Sequence, residues 1–397
     1  MPGTGLHRQH CPWHLLPGGV TVVIAAVRFW AAAGARHRYE PTSPVQLEIA
    51  IMRTNIMKTD ITRTDVTFLS AGLKLAGHLY VPGDSPGDNP SGESAGPRPA
   101  IVVGHPGSGV KEQAAGLYAR RLAEQGFVTL AYDAAFQGES EGTPRGLEDP
   151  AHRIEDIKAA VSYLATREEV DADRIGALGI CASGGYVLSA AATDHRVKAV
   201  GTVSAADIAR QFRLGADGTQ DPAVIQGMLD AAAHARTAEA LGEGVQSFQL
   251  FPDTAEQALA LGGRHGADGF EYYCTDRAQH PRSAKFLTWS SVDRMVSFDA
   301  FGFVDLISPR PLLMIVGREA VTSWMSVEAF QKARGPKELH WIDGARHVDL
   351  YDKDEYVTPA VARLADFFHT RLASTPRSDT HPGERTPPTP TPTPTAA

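Results

Sequence analysis

The residues best suited to chemistry stand at the end of one apolar run. Gly179-Ile180-Cys181-Ala182-Ser183-Gly184-Gly185 follows Arg174–Ile180 (RIGALGI), which has strand character, and leads into the helix-like stretch Tyr186–Ala192. A strand that turns directly into a helix can hold one residue strained, with its side chain projecting at the sheet edge. The residues two positions to either side must then be small, because the two backbones nearly touch. Two centres satisfy this rule: Cys181, flanked by Gly179 and Ser183, and Ser183, flanked by Cys181 and Gly185. Strand register favours Cys181, which follows Ile180 directly, and leaves Ser183 as the alternative nucleophile. A free thiol titrates near about 8.5, and a helix N-terminus with a neighbouring imidazole lowers that value, so a cysteine here suits nucleophilic catalysis.

Other patterns carry less. Gly104-His105-Pro106-Gly107-Ser108-Gly109-Val110-Lys111 is not a phosphate loop, because Val110 separates the glycine from the lysine and Glu112 follows. Neither glycine cluster has the spacing of a dinucleotide fingerprint. No Cys/His pair has zinc-ligand spacing and no acidic cluster forms a calcium loop, so neither a metal nor an organic cofactor is expected.

The elements that must position these residues alternate. Val66–Ser70 and Leu73–Val81, joined at Ala71-Gly72, read as an antiparallel hairpin. Ala100–Gly104 is a short apolar run without alternation, as expected of a strand buried on both faces, and Val128–Tyr132 is the next buried strand; Arg174–Ile180, Val197–Ser204, Pro311–Gly317 and Glu338–Ile342 read as further strands. Helical spacing over Glu112–Gln125, from Pro150 to Arg167, and over Pro359–Thr370 falls between or after them. This order predicts an α/β protein with a mostly parallel central sheet and helices on both faces. Core segments 61–205 and 298–373 are separated by 206–297, which is too long for a plain connection and reads as a helical cap over the carboxyl ends of the strands. Its aromatics Phe248, Phe251, Phe270, Tyr272 and Tyr273 are placed to line a pocket or to pack together.

The elbow, together with the GHPG turn at Gly104–Gly107, resembles the α/β-hydrolase superfamily, nearest its dienelactone hydrolase-like and polyketide-transferase-like groups. The first of these places Cys at the nucleophile site but usually has Gly where this chain has Ser183, and the second usually has Ser as nucleophile. The likeness runs from about Asp65 to Leu372, more loosely through the cap. It implies an α/β-hydrolase fold with the chain order nucleophile, acid, histidine. His347, in Gly344-Ala345-Arg346-His347-Val348-Asp349-Leu350-Tyr351-Asp352 after the last strand, is then the base. Glu319, just after Pro311–Gly317, is the implied acid, although many relatives carry Asp where Ala320 or Val321 stands here; Asp305 is the alternative. One oxyanion-hole amide is implied at Ala182 and the other at Gly107 or Ser108. Asp133, Gly138 and Ser140 form a further family-like turn whose expected role is loop geometry. The implied activity is hydrolysis of a small-molecule carboxylic ester, thioester or lactone through a covalent acyl-enzyme. The alternatives are an acyltransferase of secondary metabolism and a non-catalytic ligand-binding member of the fold.

Composition sets the outer bounds. The chain has 397 residues and a formal net charge of −8, without a basic block, which excludes the electrostatic footprint of a nucleic-acid binder. Three cysteines, Cys11, Cys181 and Cys274, form no disulfide framework, and a reducing cytoplasm is expected. Residues 1–60 read as a poorly structured extension. The apolar run Val20–Val27 is interrupted at Arg28, too short for a bilayer span of about 20 residues. Residues 374–397, rich in Pro and Thr, read as a disordered tail. The expected partner is a small-molecule substrate, with neither nucleic acid nor membrane; homo-oligomerisation stays open.

Overall fold

Ala71 (φ 46°) and Gly72 (φ 83°) both take positive φ, the signature of a tight turn whose twist suits a hairpin. They join β1 (Ile61–Ser70) to β2 (Leu73–Pro82) in antiparallel register, Ser70 opposite Leu73. The computed structural model describes residues 60–83 and 96–373, so the expected extension over 1–60, apart from Asp60, and the tail over 374–397 lie outside the described residues. No helix among the described residues is long and apolar enough to cross a membrane.

Six further strands complete the sheet: β3 (Arg98–Gly104), β4 (Val128–Tyr132), β5 (Val170–Ile180), β6 (Val197–Val203) and, after the insertion that carries the two-stranded ribbon β7 (Ser247–Gln249) and β8 (Phe286–Thr288), β9 (Leu312–Gly317) and β10 (Lys337–Ile342). The sheet order is β1-β2-β4-β3-β5-β6-β9-β10, and every pair from β4 onward is parallel. All five residues of β4 and all six of β9 are buried, which explains why neither shows an alternation of apolar and charged residues. The helices α1 (Ala114–Ala123), α2 (Pro150–Ala165) and α3 (Ala182–Thr193) connect these strands. The insertion holds α4 (Ile208–Leu214), α5 (Pro222–Ala240), α6 (Ala255–Cys274) and α7 (Val292–Val296). Then come α8 (Ser323–Lys332), the single turn α9 (Asp349–Asp352) and α10 (Asp354–Arg371). Separate apolar clusters cover the two sheet faces. One joins Val102, Leu130 and Ala177 to Ile157 and Leu188 of α2 and α3. The other joins Ile101, Val103 and Leu178 to Leu122 and Phe368 of α1 and α10.

The carboxyl ends of β3, β5, β9 and β10 all lead into loops at one edge of this sheet. Because β3 and β5 are neighbours, the turn after Gly104 comes to lie beside the turn after Ile180. β10 is three strands away from β5, so a residue following it must reach back across β6 and β9. That reach is built into the packing. Gly317 ends β9 with no side chain, and a Cβ there would stand 2.3 Å from the Ala345 carbonyl oxygen. Glu319 N–H donates to that same carbonyl at 2.9 Å, and Ser204 Oγ donates to the His347 carbonyl at 3.1 Å.

Candidate active site

Cys181 sits between β5 and α3 with φ 56° and ψ −119°, a conformation that costs a non-glycine residue about 1–3 kcal/mol. Close packing on both sides imposes it. A Cβ at Gly179 would lie 2.1 Å from the Ser183 carbonyl oxygen, and one at Gly104 would lie 2.8 Å from Ser183 Cβ. The Cys181 N–H donates to Val203 at 3.0 Å, while its carbonyl accepts from Gly184 and Ala206 at 2.8 and 2.9 Å. The side chain is thereby turned into a cavity of about 570 Å³ that Gly107, Ser108, Ala182, His265, His347 and Tyr351 also line. Burial pushes the thiol above its ordinary range. The Tyr351 hydroxyl and the backbone amides of Ala182 and Gly107 pull it back.

Ser183 is placed differently. It is buried outside that cavity lining, donates to the His105 carbonyl at 2.5 Å and accepts from Arg153 Nη2 at 3.2 Å. Its hydroxyl therefore ties the elbow to the GHPG turn. The buried Arg153 extends the tie: Nη2 reaches the His105 carbonyl at 2.9 Å, Nε pairs with Glu148 Oε1 at 3.2 Å, and the guanidinium lies 5.1 Å from the Tyr186 ring centre. His105 Nδ1 meets the Pro106 carbonyl at 2.7 Å and Nε2 accepts from Ala134 N–H at 3.1 Å, so the ring is neutral; burial and Arg153 hold its pKa well below the ordinary range. Together these groups fix the turn carrying Gly107 beside Ala182. The Ser108 carbonyl, at φ 54°, accepts from Ser283 of the insertion at 2.8 Å.

His347 is buried at the mouth of the loop after β10. Its Nδ1 lies 2.5 Å from Thr322 Oγ1 and its Nε2 lies 2.9 Å from the Tyr351 hydroxyl. The edge of the ring packs on His265 of α6, with centroids 5.1 Å apart. Burial, and secondarily His265, hold its pKa well below the ordinary range, so the imidazole is neutral and able to take a proton. Thr322 stands at the N-cap of α8, yet its hydroxyl makes no capping bond and goes to His347 instead.

The carboxylate implied by the sequence is not at the ring. Glu319 is exposed: the turn formed by Ala320 N–H on the Gly317 carbonyl and Ser323 N–H on the Ala320 carbonyl directs it to solvent and Thr322 inward. Asp305 stands outside the cavity lining, its nearest cation Arg334 at 3.9 Å. Asp349, next but one to His347, is held by Arg346 at 3.2 Å and Lys353 at 2.8 Å. Among the described residues, His347 is therefore oriented by a hydroxyl where a carboxylate was expected.

Sequence reasoning missed Thr322 and Tyr351. Thr322 carried no signal. Tyr351 did, since it stands four residues after His347 across the turn α9, the spacing that puts two side chains on one face. His265 lines the cavity and packs on His347. Of the insertion's aromatics, Phe251 and Tyr273 line the cavity, whereas Phe248 packs on Trp289 at 4.5 Å and the Tyr272 hydroxyl accepts from Ala114 N–H at 3.0 Å. The Asp133 turn has a loop-building role: Ser140 Oγ donates to the Asp133 carbonyl at 2.6 Å, and a Cβ at Gly138 would strike the Asp133 carboxylate.

Residues 89–205 match the model of the dienelactone hydrolase family. The chain is 41% identical over 274 residues to the uncharacterized protein YcjY of Escherichia coli K12, covering 69% of this chain and 89% of that one. The thiohydrolase aneE of Aspergillus aculeatus is 27% identical over 70% of this chain and 84% of its own. The solved structure of the hypothetical protein PA2218 from Pseudomonas aeruginosa superposes with a TM-score of 0.71 at 34% identity, over 78% of this chain and 94% of that one. An eight-stranded sheet, the strained elbow after β5 and these likenesses define an α/β-hydrolase. Within that class the chain belongs to the dienelactone hydrolase family and resembles its thiohydrolase and polyketide-transferase-like members.

Proposed function

We propose that the protein hydrolyses a small thioester or activated ester through an acyl-enzyme on Cys181. The observation that carries this reading is Cys181 at a strained bend, lining one cavity with Ala182 and Gly107, whose amides lower the thiol pKa. In the proposed reaction the thiol gives up its proton to the neutral His347 and the sulfur attacks the acyl carbonyl. The oxyanion that forms is received by the two amides, which are preorganised and need no rearrangement. Water, activated by the same imidazole, then releases the acid. A thiolate is both a strong nucleophile and a good leaving group, which favours thioesters, lactones and enol esters over peptide bonds.

The cavity suits an uncharged acyl group. About 570 Å³ lies within the usual range for a small-molecule site, and no Lys or Arg among the described residues lines it. Its one carboxylate, Glu148, is already held by Arg153, by Tyr186 at 2.7 Å and by Gln137 at 2.5 Å. Phe212, Met228, Leu250, Phe251 and Leu287 form an apolar wall. A thiol nucleophile also fits a reducing, cytoplasmic setting.

Pre-steady-state turnover of a short-chain nitrophenyl ester tests the proposal. A burst of chromophore is expected from the native protein and from Ser183→Ala, and none from Cys181→Ala. Loss of the burst in Ser183→Ala alone contradicts the assignment. Product analysis with an added alcohol or amine separates hydrolysis from acyl transfer: predominance of the transferred product assigns the protein to the acyltransferases.

A further inference from the structure

The base does not meet the nucleophile directly in this site. The hydrogen-bond partner of His347 Nε2 is the Tyr351 hydroxyl, at 2.9 Å, and that same hydroxyl acts on the neighbouring Cys181 thiol. All three side chains line one cavity.

We infer that Tyr351 is a catalytic residue, a hydroxyl relay that carries the thiol proton from Cys181 to His347. This rests on the acyl-enzyme reading above. In the step, Cys181 S–H passes its proton to Tyr351 Oη while Tyr351 O–H passes its own to His347 Nε2. The tyrosine ends neutral, as it began, leaving a thiolate and an imidazolium. The thiolate electron pair forms the bond to the acyl carbon, and the carbonyl π pair moves onto the oxygen between Ala182 and Gly107. When the intermediate collapses, the bond to the leaving group breaks, and the leaving group takes the Tyr351 hydroxyl proton while Tyr351 Oη takes back the proton from His347 Nε2. The tautomer that performs this has Nδ1–H donating to Thr322 Oγ1, which leaves the Nε2 lone pair free to accept.

The phenol is suited to hand a proton on rather than to keep a charge. It is 2% exposed, and burial together with the neighbouring Cys181 and Tyr273 pushes its pKa well above the ordinary range, so a tyrosinate does not accumulate. Its position is fixed from several sides. The ring stands edge-on to Tyr272 at 5.1 Å. The turn α9 that carries it is held by Tyr118 Oη donating to the Leu350 carbonyl at 2.8 Å and by Arg277 on Asp352 at 2.6 Å. A hydroxyl so fixed between donor and acceptor costs no reorganisation when the proton moves. Removing it leaves the ring packing in place and interrupts only the relay.

The test is Tyr351→Phe, compared with the native protein and with Cys181→Ala. The acylation rate in mixed light and heavy water is expected to give a curved proton inventory for the native protein, two protons moving together. Tyr351→Phe is expected to lose at least tenfold in kcat/KM toward an oxyester, to give a linear inventory or no isotope effect, and to react with iodoacetamide with a higher apparent thiol pKa. A Tyr351→Phe protein with native activity and an unchanged inventory overturns the relay. Should the variant fail to fold, the native inventory alone decides, and a linear one overturns the relay. Activity surviving in Cys181→Ala instead refutes the acyl-enzyme reading, a result distinct from failure of the relay.

Discussion

Thr322→Val is the sharpest probe of how His347 is held. The exchange keeps the branched shape and removes one hydroxyl. That hydroxyl makes no helix-capping bond, so α8 should lose nothing, and the change is confined to Nδ1 of a buried imidazole. Leaving a buried polar group without its partner costs about 1–3 kcal/mol. If that cost falls on the imidazolium formed in the transition state, kcat/KM drops about 5- to 150-fold at about 1.4 kcal/mol per decade. The companion is Glu319→Gln. Glu319 is exposed and its carboxylate does not meet His347, so the expected change is under about twofold, the ordinary behaviour of a surface substitution. Steady-state rates with an activated ester, alongside melting curves that confirm both folds, decide the matter. A crippled Glu319→Gln beside an unaffected Thr322→Val would refute the hydroxyl-oriented base.

Two further outcomes follow from buried charge. His347 and His105 have pKa values held well below the ordinary range chiefly by burial, and His265 and His78 are lowered by the same cause. Their unfolded values lie near about 6.5, so the unfolded chain binds more protons as pH falls, and the stability present above that value should be lost progressively below it. Denaturant titrations at pH 7.5 and 5.0 should therefore show a lower unfolding free energy at 5.0; equal or greater stability there contradicts the buried neutral histidines. Arg153→Met should strand the Glu148 carboxylate and release the GHPG turn from the elbow, costing about 3–5 kcal/mol by urea unfolding, the usual penalty for removing one partner of a buried pair. A loss below about 1 kcal/mol would contradict the structural role given to this buried pair.

The order of elements was readable because burial writes itself into the chain. Strands such as β9, covered on both faces, leave unbroken apolar runs, and the hairpin turn takes at Gly72 the positive φ that glycine adopts freely. The elbow was readable for a similar reason: the contacts at Gly179 and Gly104 tolerate only small residues, and those residues are visible as letters. Element ends were less visible. β5 starts at Val170 and α10 at Asp354, both earlier than the apolar pattern suggested, because exposed polar residues extend them. The partner of His347 was hidden for a different reason. Counting from Gly317 led to Glu319, but the turn after β9 faces that residue to solvent and brings the side chain three positions later to the ring. Loop conformation, which periodicity does not encode, decided it. Tyr351 lies within the very motif that marks His347, but a tyrosine at that spacing does not by itself distinguish a relay from a packing role.

The identity of the nucleophile underlies every other assignment, and mass spectrometry of the acylated protein tests it directly. Rapid quenching during turnover of a slow acyl thioester, followed by digestion, should place the acyl mass on the peptide segment containing Cys181, specifically on its sulfur. The adduct should persist in Ser183→Ala and vanish in Cys181→Ala. An acyl group found on Ser183, or sustained turnover by Cys181→Ala, would contradict the account.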